Sequence, residues 1–186
     1  MKKYFFALVI SLCFISIACE KDDNSEKRKV FTGELSFENK FFPLDVCHIY
    51  ELGKSDSLTY LAQLQITTGF TFFRDSAGVI DSVAGRGSGI TFDVYTKDST
   101  GIRQGAYNKN DVLIAGSPWT VDSISVVYDF NVEEPDSLYE VTLRTCRLDV
   151  EKVNANYYNF TIKGIDTKGL PVRGTYSGPV ELIDLD

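Results

Sequence analysis

The stretch "SISVVYDFNV" at residues 123–132 alternates with a period of two. Ile124, Val126, Tyr128, Phe130 and Val132 share one parity, and Ser123, Ser125, Val127, Asp129 and Asn131 share the other. Successive side chains of an extended strand point to opposite faces, so this pattern describes a strand with one buried and one wetter face. Antiparallel sheets carry that pattern, whereas strands of a fully covered parallel sheet are apolar throughout. The same period recurs along the chain. Leu58, Tyr60, Ala62, Leu64 and Ile66 alternate with Thr59, Leu61, Gln63, Gln65 and Thr67, and Ile90, Phe92 and Val94 alternate with Thr91, Asp93 and Tyr95. Tyr158, Phe160 and Ile162 alternate with Tyr157, Asn159 and Thr161. No window after Ala18 sustains a helical period.

Two irregularities are informative. In residues 138–150 the apolar parity switches between Leu143 and Cys146, which predicts a β-bulge near Thr145. Gly69 divides the long run 58–74 in a similar way. Turns are legible as DSAG (75–78), DSTG (98–101) and DTKG (166–169), each followed by an aliphatic residue. Asp caps the local backbone at the first turn position, and Gly accepts the positive φ at the last. These loops hold too few oxygens for calcium. Further turns are expected at residues 53–56, 134–137 and 154–156. The count is nine to eleven strands, more than one open sheet of this size usually holds. The expected fold is therefore all-β, an antiparallel β-sandwich, with a calycin-like closed β-barrel as the alternative.

The N-terminus is of another kind. Lys2 and Lys3 precede residues 4–18, which are apolar except for two serines. Such a run is short for a membrane span and has the layout of a secretory signal, with Ala18 as the small residue before the cut. Ser16-Ile17-Ala18-Cys19 resembles the lipobox of bacterial lipoproteins, with Ser16 where leucine is usual. The resemblance implies cleavage before Cys19 and its acylation by chains such as palmitate, two of which already anchor a protein stably. Lys21, Asp22 and Asp23 resemble the surface-export signal of Bacteroidota lipoproteins. The organisation expected is a signal peptide over 1–18, a lipidated tether over 19–29 and one all-β domain over 30–186. The location implied is the outer membrane, lipid-anchored and facing the exterior. "GIRQGAY" (101–107) and "NYYNFTIKGIDTKGLPVRGTYSGPVEL" (156–182) resemble segments of uncharacterised Bacteroidota lipoproteins with β-sandwich or lipocalin-like domains.

Losing residues 1–18 removes two lysines and no acid, taking the net charge from −7 to −9. That balance argues against a nucleic-acid partner. Cys47 and Cys146 are the cysteines left in the domain, and an even count in an exported chain suggests a disulfide. Parity opposes it. Phe42, Leu44, Val46, Tyr50 and Leu52 form the apolar phase, which puts Cys47 on the opposite face, while Cys146 shares the inward phase of Leu148 and Val150.

His48 is the one histidine, so a multi-histidine zinc site is excluded. It lies on the apolar phase, as a core histidine would. No G-x-S-x-G elbow is present. "GRGSG" (85–89) lacks the lysine and helix of a phosphate loop and is expected at a hairpin tip. Tyr95 and Tyr157, on polar phases, and Trp119, in a Gly-Ser-Pro loop, are candidates for stacking on a sugar or anchoring a protein partner. No cofactor, metal or catalytic group is expected. The leading functional expectation is a non-catalytic cell-surface module that binds an extracellular ligand such as a glycan. The alternatives are a lipocalin-like carrier of a small apolar ligand, a structural or adhesive subunit, and a carboxylate-based hydrolase.

Overall fold

The computed structural model describes residues 32–184 except 57, 98, 100, 110–112, 114, 115, 135 and 137. They lie in one compact unit, Phe31–Asp186. Eleven strands run in chain order: β1 (Gly33–Phe37), β2 (Lys40–Leu44), β3 (Val46–Lys54), β4 (Tyr60–Arg74), β5 (Ile80–Thr96), β6 (Gly105–Lys109), β7 (Thr120–Asn131), β8 (Tyr139–Asn154), β9 (Tyr157–Asp166), β10 (Pro171–Pro179) and β11 (Glu181–Asp184). The fold is all-β, as the alternation predicts. All eleven strands join in one sheet, ordered β11-β3-β4-β5-β7-β6-β8-β9-β10-β1-β2 and curled into a half-barrel.

The sheet is mixed, not purely antiparallel. β11 runs parallel to β3, and β6 meets β7 in parallel at Asn108 and Thr120. Both exceptions have local causes. β7 and β8 pair directly only at Ser125–Tyr128, and β6 fills the gap on the far side of that contact. β11 is the last strand and reaches β3 from the end of β10, which lies near the sheet's other edge.

The inner face of the curl holds the core. Leu35, Ile49, Leu64, Phe92, Tyr107, Tyr158, Phe160 and Tyr176 are all buried there. The β1–β2 hairpin packs across the curl onto β7 and β8. Phe37 meets Phe42 and Tyr128 at 5.9 Å, and Lys40 places its ammonium 4.4 Å from the Tyr128 ring and 4.1 Å from the Tyr139 ring. This cation–π contact ties the edge of the sheet to its middle. The turn before Lys40 is Glu38-Asn39, with φ of 46° and 61°. Two successive positive φ values make the tight hairpin turn whose twist matches that of the flanking strands.

The expected bulges are present. The β8–β9 register shifts between Leu143 and Thr145, and the β4–β5 register shifts between Thr68 and Phe70, around Gly69. The DSAG and DTKG turns form as predicted. Asp75 and Asp166 carboxylates accept from backbone amides within each loop, while Gly78 and Gly169 take φ of 85° and 86°. In DSTG, Gly101 has φ 62° and its amide donates to the Glu51 carboxylate.

Besides the purely antiparallel sheet, two further expectations fail. "GRGSG" is not a hairpin tip, since it lies inside β5 and pairs with both β4 and β7. Its glycines let two strands approach closely: a Cβ on Gly87 would lie 2.3 Å from the Thr68 carbonyl oxygen. The tip of that hairpin is the DSAG turn. The face assigned to Cys47 is also wrong. Asp45 breaks the chain between β2 and β3, so the apolar phase of β2 does not continue into β3. Cys47 and Ile49 stand opposite Ile66 and Leu64 and face the core.

Candidate functional site

The residues singled out in the sequence scatter over the molecule. Cys19, Lys21, Asp22 and Asp23 lie outside the described residues. Trp119 and Tyr95 are neighbours, with the Trp119 amide donating to the Tyr95 carbonyl at 2.9 Å. Trp119 is half-buried. Its ring lies 5.2 Å from that of Tyr107 and over Gly105, where a Cβ would come within 2.6 Å of it. The indole therefore fills core space. Tyr157 is on β9, with its hydroxyl 3.3 Å from that of Ser177. All three rings are only partly exposed, and no described contact brings Tyr157 to the other two.

Cys47 and Cys146 are both buried and both free, so the possible disulfide is not formed. Parity gave that outcome for the wrong reason, because both thiols point inward. Burial pushes the Cys47 thiol far up and raises Cys146 to about 12, although Lys109 pulls Cys146 the other way.

His48 is buried, but on the outer face of β3, beside Gln65 of β4 and Glu181 of β11. It is covered by an arm. Beyond the Gly69 bulge the β4–β5 hairpin folds back so that Phe72 packs on the imidazole, and Arg74 pairs with Glu181. His48 Nε2 is 3.4 Å from Glu181, and Nδ1 has no hydrogen-bond partner. Desolvation by burial lowers the pKa of His48, Glu181 opposes this, and Arg74 adds to it. This is a packed histidine, covered by Phe72 and beside Glu181.

A feature that the sequence reading missed lies on the outer face of β8, β9 and β10. Strand register places six residues in one row across six strands: Phe41, Ser36, Arg173, Lys163, Arg147 and Asn108. Arg173 stands directly opposite Lys163, and Lys163 directly opposite Arg147. Together with Lys109 these cations wall an open groove of about 720 Å³. Thr145, Ile165 and Pro171 form its shoulder, and Cys146, Gly164 and Val172 lie along its base. No described carboxylate lines it. Arg147 pairs with Asp149 and Lys109 with Asp122, each at 2.8 Å, while Lys163 and Arg173 have no described acidic partner. A second groove of about 190 Å³ continues past Arg173 to Phe41, which is 74% exposed.

Like charges directly opposite each other on neighbouring strands destabilise a sheet. Two such pairs in one row, on a chain of net charge −7, are therefore costly to the fold. The single-strand signal is weak, since a cation on a polar phase looks like ordinary surface. Only the register brings the three together. No family model matches this chain, and comparison with curated proteins and with solved structures gives no match either.

Proposed function

We propose that this chain is a non-catalytic binding module, held at the cell surface by lipid on Cys19, and that the groove across β8, β9 and β10 recognises an extracellular glycan. The lipobox resemblance around Cys19 and the export-signal resemblance at Lys21, Asp22 and Asp23 support the location. One observation carries the binding role: an open groove walled by Lys109, Arg147, Lys163 and Arg173, with no carboxylate among its lining residues, on an acidic protein.

The chemistry around the groove supports binding over catalysis. Its one thiol, Cys146, is buried with its pKa pushed up, the opposite of what activates a nucleophile. The histidine lies under the arm on β3, far along the sheet order from β9. A glycan array probed with the full-length chain and with its Lys163→Glu/Arg173→Glu variant tests the proposal. Glycan capture by the parent and loss in the variant is the expected result. Capture that ignores both substitutions would place recognition elsewhere.

A further inference from the structure

We infer that the ligand of this groove is a linear anionic polysaccharide, lying across the strands along the row Arg173–Lys163–Arg147. This deepens the binding-module reading and rests on it. Neighbouring strands are spaced by about 4.8 Å, so the row presents three cations over about 10 Å in a line perpendicular to the strands. In an extended polysaccharide with one carboxylate or sulfate per ring, successive rings turn over, so anions on one side recur on every second ring, a repeat comparable with the two-strand span from Arg173 to Arg147. Long Arg and Lys side chains absorb the remaining mismatch.

Other polyanions fit less well. An extended acidic peptide repeats its same-face side chains at about 6.6–6.8 Å, out of step with the row. Peptides also join sheets at unpaired edges, whereas β8, β9 and β10 are each paired on both sides. Single-stranded nucleic acid is held by aromatic stacking platforms, and among the described residues no aromatic side chain lines this groove. The groove's apolar shoulder, Ile165 and Pro171, is a surface on which the C–H face of a sugar ring can rest. Arg147 exchanges its exposed partner, Asp149, for the ligand's anions, while Lys109 keeps its half-buried partner Asp122. Such an exposed pair as Arg147–Asp149 holds weakly, so the exchange costs little.

The test uses the full-length chain in a non-ionic detergent and measures affinity for matched polymers. Polygalacturonate is compared with its fully methyl-esterified form, and dextran sulfate with dextran. The two arms separate carboxylate-bearing from sulfate-bearing ligands. At least one acidic polymer should bind ten-fold or more tightly than its neutral counterpart, with affinity falling as salt rises, as release of counterions requires. Arg147→Gln/Lys163→Gln/Arg173→Gln should lose ten-fold or more, and Lys54→Gln, on β3 away from the row, should lose nothing. Circular dichroism of each variant checks that the sheet is intact. Equal binding of acidic and neutral polymers, with the triple variant still defective, overturns the charge inference and leaves the binding module standing. Binding of acidic polymers that the triple variant retains, or no binding of any acidic polymer at low salt, overturns the inference outright. In the latter case the glycan array decides the broader reading.

Discussion

The rings of His48 and Phe72 meet edge to face, with centroids 4.6 Å apart and planes at 80°. This contact holds the β4–β5 arm down on β3 and β11, and it gives the fold an acid sensitivity. Burial lowers the native pKa of His48, and the groups facing it, Glu181, Arg74 and Tyr50, do not reverse that direction. In the unfolded chain the imidazole titrates near its ordinary value of about 6.5. Above that value neither state binds the proton, and there is no penalty. As pH falls below it, the unfolded state takes up a proton that the native state resists, and stability is lost. Urea midpoints at pH 7.5 and 5.5 should therefore drop further for the parent than for His48→Gln. Parallel slopes for the two proteins would remove the role assigned to His48.

Relieving the cation row should stabilise the protein. Lys163 faces a like charge on each side, so Lys163→Thr removes two unfavourable cross-strand pairs and introduces a good strand former. The melting temperature should rise by about 1–2 °C while binding of the acidic polymer weakens. A variant both less stable and weaker in binding would mean that Lys163 is structural.

The tight turn at the tip of the β1–β2 hairpin depends on Asn39, whose φ is 61°. Asn39→Gly should be tolerated, because glycine adopts that conformation freely. Asn39→Val should cost about 1–2 kcal/mol, read from denaturant midpoints, since a β-branched side chain is strained there. Equal stability of the two variants would show that the turn relaxes to another type.

The native protein should be inert to thiol reagents. Cys47 and Cys146 are buried, and burial raises both pKa values. In the processed chain, with Cys13 removed and Cys19 acylated, denaturation without reductant should expose two reactive thiols. Finding none would establish a bridge between them.

The N-terminal residues should divide their work. Cys19→Ala should abolish acylation and loosen membrane association. Replacing Lys21, Asp22 and Asp23 with alanine should leave the chain lipidated but facing the periplasm, because the anchor's energy comes from acyl methylenes. Protease added to intact cells should shave the parent and spare the triple variant. Equal shaving of both would reduce the acidic cluster to a spacer.

Much of the architecture was legible because alternation is a local signal. The inward set Ala62, Leu64, Ile66, Ile90, Phe92 and Val94 can be read from neighbours two residues apart, and all six are buried. The Thr145 bulge announced itself as a change of parity. Cys47 was misread because Asp45, a residue that strands disfavour, ends β2 and restarts the phase, and a lone Asp without a following Gly is easily passed over as a strand end. The groove was out of reach for a stronger reason. Arg147, Lys163 and Arg173 lie on the consecutive strands β8, β9 and β10, but they align only through the exact register of two hairpins, one of them shifted by bulges, and Ser36 joins the row from the distant β1. Among the stacking candidates, Trp119 is half-buried, because Gly105 leaves a flat place for its ring on the core, a contact that the sequence of its loop does not show.

The row of cations also has a bearing on how errors in folding are rejected. Each charge sits on a different strand, and around Lys163 and Arg173 the strands alternate between solvent and core. A slip of one residue in β9 or β10 would turn Lys163 or Arg173 into the packed interior, where an unpaired ion is intolerable. Such a register would be penalised relative to the native one, in which all three charges stand outside. The side chains proposed to bind a ligand would then also disfavour wrong strand registers.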